Sequence, residues 1–341
     1  MDRRRWLRLW ALWPAAGLAK TAPPARAEPA LSNDLSSAWE AYARRFVTAD
    51  GRAVDTGNQG ITHTEGLGVS MLVAQACGDR ERFDRLWTFS AKLKRPDGLS
   101  SWRWEPGKGV SDANNATDGD LYLAWALLRA GKRWNEPRYL AAASQIARAV
   151  REQLLIEVRG LTLLLPGKDG FLDDKIPVVN PSYLILPALA EMTQVDDAPP
   201  WRALHASTLN LLATARFGPE RLPADWLWMG DPVKPWSQRP ARFGYEAIRI
   251  PLFLAWSRQS SHPALLALAA HFKPAGFPAW VDLATPEVAP YAAPAGFQSV
   301  AALVRAQAFG TPPSFHPIDD DYYSSSLSLL ARLAWQDVRG R

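Results

Sequence analysis

The 341-residue chain has one cysteine, so no disulfide forms within it and its core must rest on packing alone. Cys77 has no neighbours at metal-ligand spacing and reads as a small apolar residue. Histidine is sparse too, with five copies scattered along the chain. There is no HExxH zinc pair, no phosphate-cradling glycine loop, no dinucleotide fingerprint and no serine nucleophile elbow. Lysine and arginine form no block interleaved with aromatics, which argues against a nucleic-acid partner. The net charge of +5 is partly carried by the first few residues, so the remainder is only mildly basic. The apolar run at 6–18 is too short to span a bilayer and is interrupted by Pro14, which argues against a stable membrane anchor.

That run belongs to a leader instead. "MDRRRWLRLWALWPAAGLAKTAPPARAEPA" opens basic, turns apolar and offers small residues at Ala25 and Ala27, the pattern of a secretory signal cleaved after Ala27. "RRRWLR" also resembles a twin-arginine export signal. The expected division is a signal peptide at 1–27 and one domain at 28–341.

What is present in quantity is apolar surface, at 48%, together with 16 tryptophans and 28 prolines. About half of the tryptophans are needed to fill a core, and stacking on sugar rings is one use for the rest. Apolar residues recur at helical spacing over 36–46, 66–77, 81–92, 120–130, 138–155, 181–192, 201–215, 245–258, 263–272, 297–309 and 322–338, with few convincing strands between. About eleven helices in one apolar chain without a linker favour an all-α toroid of helical hairpins, with two separate bundles as the alternative.

Three segments carry carboxylates at helix starts. In "NNATDGDLYLAWALLRAGKRW" Leu121, Ala124, Trp125 and Leu128 line one helix face, Gly131 ends it, and Thr117 and Asp120 have capping-box spacing. That leaves Asp118 without a structural task. "DTGNQGITHTEGLGVSML" sets Glu65 at a helix start beside Gly66 and Gly68, small residues that let something approach the backbone. "RFGYEAIRIPLFLAW" places Glu246 and Arg249 three apart on one helix face. A pair of carboxylates flanking an acetal bond, one donating a proton and one activating water, is what glycoside hydrolysis requires.

In this order, "DTGNQGITHTEG", "DANNATDGDLYLAWALLRAGKRW", "NPSYLILP" and "FGYEAIRIPLFL" resemble glycoside hydrolase family 8, from about Ser36 to Arg258, with weaker similarity through "DDDYYSSSLSLL". The resemblance implies an (α/α)6 barrel, an inverting mechanism, and an endo-β-1,4-glucanase acting on cellulose in the periplasm, accessory to bacterial cellulose synthesis. By the same resemblance Glu65 matches the general acid, Asp118 the aspartate that grips the sugar at the cleavage point, and Arg249 the arginine that accompanies the general base. Glu246 stands where most members carry an aspartate as general base. Thr117 and Asp120 are then the caps and Asp118 the working residue. Trp102 or Trp104 and Tyr322 or Tyr323 resemble aromatics of the sugar cleft, and Tyr183 matches a cleft tyrosine. No metal or cofactor is implied; a cellulose synthase complex is an implied partner. The alternatives are the same fold acting on xylan or chitosan, and a glycan-binding protein whose catalysis is weakened by the longer side chain at position 246.

Overall fold

The computed structural model describes residues 34–340. The leader at 1–27 lies outside them. Eleven α-helices are found among the described residues: α1 Leu35–Phe46, α2 Thr64–Cys77, α3 Arg80–Ser90, α4 Thr117–Arg133, α5 Pro137–Leu154, α6 Leu186–Met192, α7 Ala198–Thr214, α8 Arg249–Trp256, α9 Pro263–His271, α10 Ala295–Phe309 and α11 Tyr322–Arg339. Their starts follow local chemistry. Asp34 accepts the Ser36 and Ser37 N–H groups at 3.1 and 3.0 Å, and Asp79 accepts that of Arg82 at 3.1 Å, so both satisfy donors that a helix start leaves free. Proline occupies the first turn of α5, α7 and α9, where its missing N–H is not needed.

Helices α2, α4, α8 and α11 are buried almost all round, whereas α1, α3, α5 and α7 bury one side and leave the other in water. A helix that is apolar on every face needs neighbours on every face, and an inner ring supplies them. Helix α2 packs on α4, α4 on α6, α6 on α8, α8 on α10 and α11, and α11 back on α2, with α3, α5, α7 and α9 laid outside. This is the (α/α)6 barrel. One continuous core runs from Leu35 on α1 to Ala334 on α11. Among the described residues no helix is long and apolar enough to cross a membrane.

The C-terminal ends of the inner helices are locked by Arg129 of α4. It donates to Glu191 of α6 at 2.6 Å and to Asp337 of α11 at 2.7 Å, and Asp337 also accepts Trp256 Nε1–H of α8 at 2.9 Å. Side chains from the starts of α2, α4 and α8 meet around Arg249.

Several local expectations need correction. Gly131 does not end α4, which continues to Arg133; a Cβ there would lie 2.6 Å from a Leu140 methyl, so this glycine admits α5. Thr117 and Asp120 do not cap α4. The Thr117 hydroxyl donates to Leu165 O at 2.7 Å, and Asp120 accepts Ser100 N–H at 2.9 Å and Asn115 Nδ2–H at 3.0 Å, so both fasten loops to the helix. The helix expected over 245–258 begins only at Arg249, and that expected over 181–192 is a 3-10 turn, Pro181–Tyr183, followed by α6. Short strands were also more numerous than expected: Arg103–Glu105 pairs with Gly109–Asp112, Leu155–Val158 with Leu161–Leu164, and Leu227–Trp228 with both Ile176–Val179 and Lys234–Pro235.

Candidate active site

Glu65 lies in the first turn of α2, whose N-cap is His63. The imidazole Nδ1 accepts the Gly66 N–H at 3.1 Å, so its proton sits on Nε2, 3.6 Å from Asp55. Burial disfavours the His63 cation, but Asp55, with smaller help from Glu65 and Asp118, raises its pKa above the ordinary value. The Thr62 hydroxyl, three residues before Glu65, takes a hydrogen bond from Arg52 at 3.1 Å.

The glycines around Glu65 admit protein rather than ligand. A Cβ on Gly66 would lie 1.9 Å from the Tyr322 hydroxyl, one on Gly68 2.5 Å from Tyr122 Cβ, and one on Gly119 2.0 Å from Thr64 Oγ1 and 2.9 Å from the Glu65 backbone nitrogen. Gly68 of α2 faces α4 and Gly119 of α4 faces α2. The two helix starts interlock, and Glu65 and Asp118 are brought together by that contact.

Asp118, 2% exposed, accepts the Gly119 N–H at 2.8 Å and lies 3.3 Å from Arg249 Nη1. Burial first, then the charge of Glu65, pushes its carboxyl up to about 8 against the pull of Arg249. Arg249 opens α8 and is the hub. One terminal nitrogen donates to Glu65 as well as Asp118; the other donates to Glu246 and, at 2.8 Å, to Ser182 Oγ. Burial works against this cation, but Glu65, Glu246 and Asp118 hold its pKa well above the ordinary value. Glu65 and Glu246 keep part of their side chains accessible, at 16% and 17%, while Arg249 beneath them keeps 5%. Two accessible carboxylates thus share one buried cation.

Glu246 sits in the turn before α8, and its expected ion pair with Arg249 forms across that turn. Asn180 Nδ2 also donates to Glu246 at 3.0 Å, while Asn180 Oδ1 accepts Ser182 N–H at 2.9 Å, which fixes the amide orientation. The Tyr183 ring lies 5.6 Å from the Arg249 guanidinium carbon and 6.3 Å from the Trp226 ring, which stacks on Phe171.

The paired aromatics separate. Tyr323 is half-buried, donates to Tyr245 O, and lies close enough to Glu65 and Glu246 that their charges, after burial, raise its phenol pKa. Tyr322 is 3% exposed and packed among Tyr42, Phe46 and His63, so it is a core residue, in correction of the expected cleft role. Successive residues of a helix point about 100° apart, so at the start of α11 only one of the two faces the site. Trp102, at 8%, is likewise buried, while Trp104 keeps some exposure, packs edge-on against Phe89 and is covered on one face by Arg52 at 4.7 Å. Sequence reasoning missed Asn180, Ser182 and Asp225 as partners of Glu246, Arg249 and the 244–247 turn. Asn-Pro is a visible helix-start signal in "NPSYL", but nothing local points 66 residues onward to Glu246.

Carboxylates gathered around one arginine at the N-terminal mouth of an (α/α)6 barrel define a glycoside hydrolase. The sequence profile of glycosyl hydrolases family 8 matches residues 8–337, and the chain belongs to that family. It is 38% identical over 277 residues to an endoglucanase of Cellulomonas uda, covering 77% of this chain and 76% of that one. A probable endoglucanase of Novacetimonas hansenii is 35% identical over 318 residues, with 90% and 92% covered. Among solved structures, an endo-beta-1,4-glucanase from Acetobacter xylinum superposes with a TM-score of 0.84 at 34% identity, covering 90% of this chain and 99% of that one.

Proposed function

We propose that this chain is an endo-β-1,4-glucanase that cleaves cellulose chains with inversion at the anomeric carbon. The observation that carries the reading is the sharing of Arg249 by Glu65, Asp118 and Glu246, in a family whose relatives above are named endoglucanases. Glu65 is the general acid. Once its hydrogen bond from Arg249 is given up, Glu65 takes a proton from solvent and delivers it to the glycosidic oxygen as the bond to the anomeric carbon breaks. Glu246 is the general base. It takes a proton from a water whose oxygen attacks the opposite face of that carbon, so Glu65 ends deprotonated and Glu246 protonated, and exchange with solvent resets both. Asp118 holds the sugar at the cleavage point, with Tyr183, Trp104 and Tyr323 as neighbouring sugar contacts. The leader pattern at 1–27 supports export, and a periplasmic role beside a cellulose synthase complex fits that address.

Reducing-end release from carboxymethyl-cellulose, xylan and chitosan by residues 28–341 tests the reading. Cleavage of the cellulose derivative is expected, lost in Glu65→Gln. In Glu246→Asp the shortened side chain withdraws the carboxylate from Asn180, and the rate reports what the glutamate contributes. Release from xylan or chitosan alone moves the substrate. A wild type inert on all three, with an active Glu246→Asp, makes the protein a glycan binder on a hydrolase scaffold.

A further inference from the structure

The turn that carries Glu246 has backbone donors to satisfy, because the N–H groups at and before a helix start have no partner within the helix. Some of its bonds are internal: Ile248 N–H reaches Gly244 O at 3.0 Å and Arg249 N–H reaches Glu246 O at 3.2 Å. The N–H groups of Gly244 and Ala247, on either side of Glu246, instead point to one atom from another loop, Oδ1 of Asp225, at 3.0 and 2.8 Å. Position 244 suits this approach. A Cβ there would lie 3.0 Å from Asp225 Oδ2 and 3.2 Å from Trp280 Cβ. The loop that presents Asp225 is itself anchored, since Asp225 N–H donates to Arg242 O at 2.8 Å and Trp226 O accepts Trp236 N–H at 3.1 Å.

We infer that Asp225 is a positioning residue for Glu246: it caps the 244–247 turn from a separate loop and so fixes the backbone from which the base reaches the attacking water. Asn180 holds the tip of the side chain and Asp225 holds its root. The inference rests on Glu246 being the base. Asp225 makes no hydrogen bond to Arg249 or Glu65; its hydrogen bonds reach Glu246 through the turn, while its charge also acts on Glu246 and Arg249, and Asp225→Asn separates the two. A carboxylate displaced by about 1 Å loses on the order of 100-fold in rate, whereas sugar held by Asp118 and the aromatics stays bound.

The test is steady-state kinetics on cellohexaose with residues 28–341. Asp225→Ala is expected to lower kcat by about 10- to 100-fold with KM within about twofold. Asp225→Asn, which keeps an accepting oxygen at the same place, is expected to recover most of that loss. In a Glu246→Gln background Asp225→Ala is expected to add nothing, because both changes act on one group. Should Asp225→Ala fail to fold, Gly244→Ala pushes the turn off an intact Asp225 and is expected to show the same kcat-selective loss. An equal loss in Asp225→Asn overturns the inference, since the proton or charge of Asp225 would then be the working feature. So does an unchanged kcat in Asp225→Ala or Gly244→Ala, or a full further loss in the Glu246→Gln background. If Glu246→Gln turns over as fast as wild type, the assignment of the base fails, and the inference falls with it for that separate reason.

Discussion

Gly119→Ala sets two rules against each other. On helix propensity alone the change stabilises, because alanine is better than glycine in a helix by about 1 kcal/mol. The packing says otherwise. The new Cβ would lie 2.0 Å from Thr64 Oγ1, 2.5 Å from Thr64 Cβ and 2.9 Å from the Glu65 backbone nitrogen. Thr64 is 1% exposed and has nowhere to turn, and a backbone nitrogen cannot swing aside, so α2 and α4 must part by about 1 Å to restore ordinary contact. Overpacking of this kind costs about 1–3 kcal/mol, and a backbone clash belongs at the upper end. The net expectation is a loss of about 2 kcal/mol, or about 3 °C in the thermal midpoint for a domain of this size. Activity suffers more, because the same shift moves Glu65 relative to Asp118, and a misplacement of about 1 Å costs on the order of 100-fold in kcat. Calorimetry and reducing-end kinetics on the same preparation read both numbers. A variant that is more stable than wild type and equally active refutes the reasoning, because propensity would then have outweighed contact.

Two further outcomes follow from the same geometry. Arg129→Ala removes the lock at the C-terminal ends of α4, α6 and α11, taking from Glu191 and Asp337 the bonds that Arg129 donates; a loss of about 3–5 kcal/mol is expected by denaturant unfolding. Its kcat at 25 °C is expected to stay within about twofold, since Arg129 lies about 16 Å along α4 from Asp118, and a parallel fall in kcat and stability would contradict that separation. Burial pushes the Asp120 carboxyl up to about 7 against its bonds from Asn115 and Ser100, and burial with the charge of Glu246 does the same to Asp225, against its bond from Ala247. An ordinary carboxylate titrates near 4, so the folded chain binds these protons more tightly than the unfolded one, and stability falls as pH rises from about 4 to about 7. Unfolding midpoints across that window are expected to decline, and to decline less in Asp120→Asn; a flat wild-type profile counts against the assignment.

The sequence made the barrel readable because inner helices such as α4 and α8 carry long apolar runs with helical spacing, and a helix pattern survives whatever packs against it. Capping was not readable in the same way. Thr117 and Asp120 satisfy a capping box in spacing, yet each found a better partner in a loop that only the fold brings near: Leu165 for one, Ser100 and Asn115 for the other. The start of α8 was misplaced for a related reason. Residues 245–248 continue the apolar helical pattern, but the N–H of Ala247, like that of Gly244 just before them, is taken by Asp225, about twenty residues earlier. Asp118 was legible as a helix-start carboxylate left without a structural task, and the family motifs singled it out together with Glu65 and Glu246. Their hub was only half legible. Arg249 was visible beside Glu246, but its reach to Glu65 and Asp118 spans 184 and 131 residues. Two-residue strands such as Leu227–Trp228 have no period to detect.

The interlocked glycines at the starts of α2 and α4 also bear on how such an enzyme diversifies. With backbone against backbone, the contact that carries Glu65 and Asp118 admits no larger side chain at Gly68 or Gly119, so it tolerates almost no inherited change. Tyr183, Trp226 and Trp104 lie on segments that connect the helices. New substrate preferences must therefore arise by exchange or lengthening of those segments, and directed-evolution libraries are best confined to them.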